Sequence, residues 1–329
     1  MQKRKGAENM ELQQRHLART LFQNKVLKSD GFEFENLFGN ILSYSRPNFK
    51  KIEPYGNHGD RGNDGYEPNE GRYFQVYAPK NPGSSKSTAI EKASKDFGTK
   101  LIPHWSSVCH PKEYYFVFND KYKGSIVDIE QTLSALKTTY SLIVCDTYLN
   151  KQLEQEFIDL PEDQVSMIIG GLPKWDSVTH LDYSVLGEVI RFIQENPTQY
   201  KPTGKLIAPV FEDKIIFNGI CENGSWLTAK SRESWQVDDF LNRNSNFAKQ
   251  AIRDVLAGYY TESVANIPIE TTQSAISTGD LRFGYILEKI APPTNNHALD
   301  RLRKDSALVL MAKYFETCDI FEEPRSATP

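Results

Sequence analysis

The chain has 329 residues, of which 39% are hydrophobic and 12% aromatic, enough for a sizeable core in one large domain or two smaller ones. Its formal net charge of −4 argues against a protein that coats nucleic acid without regard to base sequence, but it is compatible with a local basic surface. Four scattered cysteines favour neither a zinc site nor a disulfide framework. Because no apolar run could cross a bilayer and the N-terminus lacks the apolar stretch of a secretory signal, we expect a cytoplasmic protein that does not associate with membranes.

The first half of the sequence alternates between helical and extended patterns. Apolar residues at helical spacing predict a helix over 9–28 and a second from Gly31, with Asp30 as a candidate N-cap. Two more helices are predicted at 86–97 and 126–138. Apolar, β-branched or aromatic runs predict strands at 49–54, 72–78, 113–118, 142–146 and 164–169. This alternation indicates an α/β domain with a partly parallel sheet.

The second half of the sequence has a different character. Only residues 214–218 are interpreted as a strand or extended piece. Helical patterns cover residues 183–194, 235–242, 247–260, 277–290 and 297–316. We therefore expect an α/β domain over 1–175, including the N-terminal helix, and a mostly helical domain over 176–329.

A glycine-rich segment at 56–66 stands just before a predicted strand and carries the residues of most chemical interest. Asp64 lies at its end, Gln75 lies on the strand, and the second helix offers Glu35 as a third oxygen donor. Magnesium prefers oxygen ligands, and metal-dependent phosphodiester hydrolysis needs them to converge. Each residue also has an ordinary interpretation: Asp64 as a turn residue, Glu35 as a solvated helix residue and Gln75 as a buried amide. For Asp60 we favour folding of the turn through its own side chain.

Three motifs in this order resemble those of the Mrr branch of the PD-(D/E)xK nucleases: Phe34-Glu35-Asn36-Leu37, Gly59-Asp60-Arg61-Gly62-Asn63-Asp64-Gly65 and Gln75-Val76-Tyr77. The resemblance implies a restriction-endonuclease-like mixed sheet flanked by helices. It also implies that the protein cleaves DNA with Mg²⁺ or Mn²⁺ as its cofactor. It implies that Glu35 orients the attacking water and that Asp64 is the central metal ligand. Gln75 would replace the usual acidic ligand through its carbonyl oxygen, and the peptide carbonyl of Val76 is a further candidate ligand.

The resemblance has one departure, at the position of the family's lysine, where this chain has Tyr77. Lys80 is the nearest basic residue and is our candidate for stabilising charge at the site. On a regular strand, Lys80 points to the face opposite Gln75, but a proline ends the strand and lets the chain turn. Lys92 and Lys95, on the following predicted helix, are further candidates.

The C-terminal half resembles the C-terminal region of ABC-three-component defence proteins, through residues 214–220, 234–241 and 313–324. Joined to a nuclease domain, it resembles the nuclease subunit of Lamassu-type anti-phage systems. That resemblance implies an SMC-like ABC ATPase partner, a small third subunit and control by homo-oligomerisation. Two functions stay open: a metal-dependent DNA endonuclease, or a decayed nuclease fold, marked by Tyr77, that binds DNA or a partner without cutting.

Overall fold

The computed structural model describes residues 10–54, 59–175, 180–200, 211–244, 247, 249–268, 276–316 and 320–323. The chain forms two compact units. Residues 25–160 make up the first, which we call the sheet unit. Residues 1–24 and 161–329 make up the second, which we call the helical unit.

The sheet unit is built on one five-stranded mixed sheet. Its strands are β1 (Lys50–Lys51), β2 (Gly65–Glu67), β3 (Arg72–Tyr77), β4 (Glu113–Phe118) and β5 (Val144–Tyr148). They lie in chain order, with β2 antiparallel to both β1 and β3, and with β3, β4 and β5 parallel. Parallel neighbours need a crossover connection, and helical segments supply it between β3 and β4 and again between β4 and β5. The expected mixed α/β architecture is therefore confirmed, whereas the restriction-endonuclease identity stays a prediction.

Helices cover both faces of this sheet. The helices of the sheet unit are α2 (Gly31–Ser45), α3 (Lys86–Glu91), a π-helical segment (Lys92–Leu101), α4 (Ile102–Trp105), α5 (Val127–Thr139) and α6 (Asn150–Ile158). The helix α1 (Leu12–Lys28) contributes its last four residues to this unit and the others to the helical unit. On one face, Tyr73 and Phe116 pack into a core with Phe97 and Leu133 from the π-helical segment and α5. On the other face, Phe74 packs against Phe38 of α2, with ring centroids 5.6 Å apart.

The helical unit contains the remaining helices. They are α7 (Glu162–Ile169), α8 (Tyr183–Glu195), α9 (Phe211–Phe217), α10 (Gly224–Ser231), α11 (Trp235–Arg243), α12 (Lys249–Asn266), α13 (Thr278–Ile290) and α14 (His297–Glu316). In α14, residues 304–312 are all buried, and this helix packs against α8, α10, α11 and α13. A helix buried on every side is the centre of a bundle. Among the described helices, none combines the length and the apolar character that a membrane crossing requires.

The N-terminal helix α1 explains why residues up to Asn24 belong to the helical unit. Asn24 donates a hydrogen bond from Nδ2 to the carbonyl of Leu281 at 2.9 Å. Gln14 donates from Nε2 to the carbonyl of Pro173 at 3.0 Å. The sequence pattern predicted that these residues belong to the N-terminal domain. An amphipathic pattern shows that one face of a helix is buried, but not which part of the protein packs against it.

Residues 164–169 were predicted as a strand, and this was wrong, because they form most of α7. Val165, Ile168 and Ile169 are buried, whereas Met167 is 60% exposed, which is a helical rather than an alternating pattern. Acidic residues occupy the first turn, and Gly170 ends the helix with a φ of 85°. These helix signals outweigh the dense apolar run.

The predicted extended piece at 214–218 was also wrong, since α9 covers most of it. Lys214 is buried, with Nζ donating to the carbonyl of Phe315 at 3.1 Å, whereas Ile216 is 76% exposed. The β-branched pair suggested a strand, but acidic residues in the preceding turn favour a helix start. Helices α6 and α10 were not predicted.

Candidate metal centre

The loop before β2 brings Asp64 to the sheet through two short side-chain turns. Asp60 accepts a hydrogen bond at Oδ1 from the backbone N–H of Gly62 at 2.6 Å, as the turn interpretation predicted. Asn63 likewise accepts a hydrogen bond at Oδ1 from the backbone N–H of Gly65 at 3.1 Å. Gly62 has a φ of 78°, and an added Cβ would lie 3.2 Å from the carbonyl oxygen of Asp96. The loop therefore needs glycine there, both for its backbone conformation and for the close approach.

Asp64 is held by its backbone and by its side chain. Its N–H donates to the carbonyl of Phe74 at 2.9 Å, and its carbonyl accepts from the N–H of Ile52 at 3.1 Å. Its Oδ2 accepts from the N–H of Val76 at 2.6 Å. Asp64 is only 5% exposed, and its carboxylate is held in place immediately before the first residue of β2.

The peptide carbonyl of Val76 faces the same side of β3 as Asp64. The carbonyl of Phe74 accepts from Asp64, whereas the carbonyl of Tyr77 accepts from the N–H of Asn119 beyond β4, at 3.0 Å. Successive residues of a strand direct their backbone groups to opposite neighbours. Val76 therefore presents its carbonyl, like that of Phe74, to the β2 side, where pairing with β2 has already ended at Gly65.

Gln75 is 2% exposed, and both ends of its amide have partners. Its Oε1 accepts from the hydroxyl of Tyr114 at 2.6 Å, and its Nε2 donates to Oδ2 of Asp96 at 3.1 Å. Asp96 is also paired with Lys100, at 2.7 Å. Because a carboxylate accepts only, Asp96 fixes which end of the amide is the oxygen. That oxygen keeps a second lone pair, so the hydrogen bond from Tyr114 does not prevent it from binding a metal.

Glu35 lies in the second turn of α2, whose first residue is anchored to the end of β3: Gly31 donates its N–H to the carbonyl of Ala78 at 2.7 Å. Among the described residues, Oε1 of Glu35 is buried and has no hydrogen-bond partner. Burial raises the pKa of Glu35, and the carboxylate of Asp60 adds to this effect. An orphaned carboxylate oxygen costs free energy unless something binds it.

The carboxyl groups of Asp60 and Asp64 also act on each other. Burial raises the pKa of Asp64 well above its ordinary value, Asp60 raises it further, and Glu35 adds a smaller contribution. The hydrogen bond from the N–H of Val76 opposes these effects. A divalent cation bound between these carboxyl groups would relieve their repulsion.

The donor set decides which cation fits. Among the described residues, no group of three or more His, Cys, Asp or Glu side chains is arranged to hold a metal ion. A site here therefore needs amide or peptide oxygens beside the carboxylates, which Gln75 and Val76 can supply. All of these donors are oxygens, a set that suits Mg²⁺ or Mn²⁺ and not zinc. The orphaned Oε1 of Glu35 and the clustered carboxyl groups fit such an ion.

The candidate lysines lie in different surroundings. Lys80 follows β3, is exposed and forms no ion pair with any residue of the described ranges. Lys95 is 65% exposed and pairs with Glu91 at 3.0 Å. Lys92 is half-buried, with Nζ 5.8 Å from the ring centroid of Tyr77.

Sequence reasoning missed Asp96 and Tyr114 as neighbours of Gln75. Asp96 is an acidic residue on the buried side of its helix, between Ala93 and Phe97, and such a placement was the available signal. Tyr114 gave no comparable signal, since a tyrosine in an aromatic strand is ordinarily a core residue.

Comparison with known proteins bears on the C-terminal part of the chain. Residues 184–322 match the family described as C-terminal domain 10 of the ABC-three component (ABC-3C) systems. This match supports the ABC-three-component resemblance and points to a component of a multi-subunit bacterial defence complex. No curated protein and no solved structure matches the chain.

Proposed function

We propose that the sheet unit is a Mg²⁺- or Mn²⁺-dependent DNA endonuclease and the effector of an ABC-three-component anti-phage system. The observation that carries this proposal is the buried carboxylate oxygen of Glu35 that has no partner among the described residues. Glu35 lies near enough to Asp60 and Asp64 for the three charges to act on one another. The order of these residues along the chain is the order of the Mrr-type motifs. The match of residues 184–322 supplies the defence context.

Glu35, Asp64, Gln75 and the carbonyl of Val76 would hold the ion, which when bound supplies charge stabilisation and a more acidic attacking water. Oε1 of Glu35 is free to accept a hydrogen bond from that water and to orient it. The N–H of Val76 fixes the carboxylate of Asp64. These contacts are in place before substrate arrives, so little free energy is lost to reorganisation.

The test is cleavage of supercoiled plasmid by the full-length chain in Mg²⁺, Mn²⁺ or EDTA. Glu35→Gln and Asp64→Asn keep the shape of each side chain, and we expect each to slow metal-dependent nicking by about 100-fold or more. Asp128→Asn is the matched control, because Asp128 lies on α5 and forms a surface pair with Lys86 of α3. Nicking that persists in Asp64→Asn at the wild-type rate would refute the proposal.

A second function is favoured by Tyr77, which stands where the resembled family has its lysine. In that case the unit is a decayed nuclease that binds DNA or a partner. Mn²⁺ binding measured by calorimetry, together with the plasmid assay, separates the two. Metal binding without nicking at any protein concentration, with partner subunits present, would identify the decayed form.

The helical unit is proposed to dock the nuclease in the cytoplasm on an SMC-like ABC ATPase and a small third subunit, and to control it by homo-oligomerisation. The family match at 184–322 supports this role. We expect low activity of the isolated chain at nanomolar concentration and higher activity when the chain oligomerises or the partners are added. Rapid cutting by a dilute monomer would contradict this mode of control.

A further inference from the structure

The strand position that would carry a lysine is occupied by Tyr77, and a different lysine lies over its ring. We propose that Lys92, on the π-helical segment, is the cation that faces the candidate metal centre and contacts the phosphate of a bound DNA strand. This inference rests on the proposed nuclease function and adds one residue to its site.

Tyr77 provides a rigid platform on the correct face of the sheet. Its side chain shares the face of Gln75, because alternate residues of a strand point the same way. Its ring stacks on Phe116 and Phe118, with centroids 6.0 Å and 6.1 Å away. The ammonium of Lys92 lies 5.8 Å from the ring centroid of Tyr77, within the range of a cation–π contact. The ring of Tyr77 thus holds the positive charge of Lys92 on the face of the sheet that carries Gln75.

The charge of Lys92 acts on the carboxylate of Glu35. It lowers the pKa of Glu35, against the larger opposite effect of burial. Lys51 also lowers that pKa, but its ammonium pairs with Glu53 at 2.7 Å and donates to Oδ1 of Asn36 at 2.6 Å. Within the described part of the chain, Lys92 has neither a hydrogen bond nor an ion pair, so its ammonium is available to an anion.

The helix that carries Lys92 belongs to the site for a second reason. Lys92 and Asp96 stand about one turn apart in the same π-helical segment, and Asp96 fixes the amide of Gln75. Stretches of π-helix are rare and often lie at functional sites. The segment therefore brings an anchoring carboxylate and a free cation to one face.

The experiment compares Lys92→Met and Lys92→Arg with the exposed control Lys95→Met and with the rival candidate Lys80→Met, all in the full-length chain. We expect Lys92→Met to weaken binding of a short DNA duplex in Ca²⁺ by about tenfold and to slow plasmid nicking in Mn²⁺ by about 100-fold. Lys92→Arg should keep duplex binding, and the control Lys95→Met should stay within about twofold of wild type. Wild-type nicking by Lys92→Met, or a loss confined to Lys80→Met, would overturn the proposal.

A rescue variant separates a direct role from a structural one. Tyr77→Lys, added to Lys92→Met, returns a cation to the strand position and should recover at least about tenfold of the lost rate. A merely structural Lys92 would not be rescued in this way, because the substitution also removes the platform. If the double variant has the same melting temperature as Lys92→Met and its nicking rate does not recover, the proposal is contradicted.

Titration with Mn²⁺ alone decides the question even if no variant cuts DNA. Removing a positive charge beside Glu35 should tighten Mn²⁺ binding roughly fivefold in Lys92→Met and leave Lys95→Met unchanged. Equal affinities in the two variants would overturn the role of Lys92. A wild-type chain that binds Mn²⁺ but never nicks DNA would overturn the nuclease proposal instead, so the two failures are distinguishable.

Discussion

The carboxylate of Asp64 accepts a hydrogen bond from the backbone N–H of Val76 at 2.6 Å, joining the loop before β2 to the end of β3. This bond holds a buried acidic group beside two others, Asp60 and Glu35. Clustered like charges cost stability, and the cost is concentrated where the proposed ion binds.

Asp64→Asn should therefore stabilise the metal-free protein. The amide keeps an oxygen for the N–H of Val76, gains a donor towards Asp60 and removes a buried charge. We expect the free energy of unfolding in EDTA to rise by about 1 kcal/mol, measured by urea denaturation. Addition of Mn²⁺ should raise the melting temperature of the wild type but not that of the variant. A variant less stable than the wild type in EDTA would contradict the electrostatic account of the site.

Gln75→Glu tests the contact with Asp96. The new carboxylate would lie against Oδ2 of Asp96, which now accepts from the amide at 3.1 Å. We expect the free energy of unfolding to fall by about 2 kcal/mol, because two buried acids repel each other. The double variant with Asp96→Asn should regain most of this loss. If the double variant shows no recovery, Asp96 does not fix the amide of Gln75.

Glu156 should make the sheet unit sensitive to acid. Burial alone would raise the pKa of Glu156, but hydrogen bonds from Arg46, Ser45 and Tyr148 more than offset that effect and hold the pKa below the ordinary 4.5. Because the pKa of Glu156 is lower in the folded state than in the unfolded state, the ionised side chain stabilises the fold at pH values above 4.5. This stabilisation is lost as the pH falls through the folded-state pKa.

Glu156→Gln is the corresponding variant. We expect it to lower the free energy of unfolding at neutral pH by about 2 kcal/mol and to flatten its decline between about pH 5 and pH 3. Glu91→Gln, at an exposed pair with Lys95, is the control and should change neither quantity measurably. An acid profile identical to that of the wild type would show that Glu156 is not the responsible group.

Gly62→Ala tests the backbone of the loop that carries Asp60 and Asp64. A Cβ at Gly62 meets the carbonyl of Asp96 at 3.2 Å, and its φ of 78° is strained for alanine. We expect a loss of about 1–2 kcal/mol in stability and weaker Mn²⁺ binding, measured by denaturation and calorimetry. Gly83→Ala is the matched control, since a Cβ there has no neighbour within 4 Å. Equal stability of the two variants would contradict the account of this loop.

The strands β3 and β4 were predictable because their patterns are strong, whereas β2 (Gly65–Glu67) was not predicted. The aromatic run at Glu113–Phe118 is β4, and the prediction for β3 differs from the structure by one residue at its end. The placement of Asp60 in a turn also followed from local chemistry, since its partner is only two residues away.

The partners of Gln75 and the position of Lys92 were beyond sequence reasoning. Asp96 meets Gln75 from a segment that winds as a π-helix, and no local propensity predicts that winding. Lys92 was one of several candidates, and only the tertiary fold brings it over Tyr77. The boundary between the units had the same origin, since the covering of α1 depends on contacts distant in sequence.

The order of the five strands in the sheet is also the order in which a ribosome makes them. Each new strand finds its neighbour already in place, so the sheet can grow as the chain emerges. All the residues of the candidate centre lie between Glu35 and Asp96, so they are synthesised before any residue of α7 to α14. A nascent chain can thus assemble the candidate centre before its C-terminal region exists. If the proposed nuclease function holds, synthesis coupled to that of the partner subunits is then an advantage to the cell.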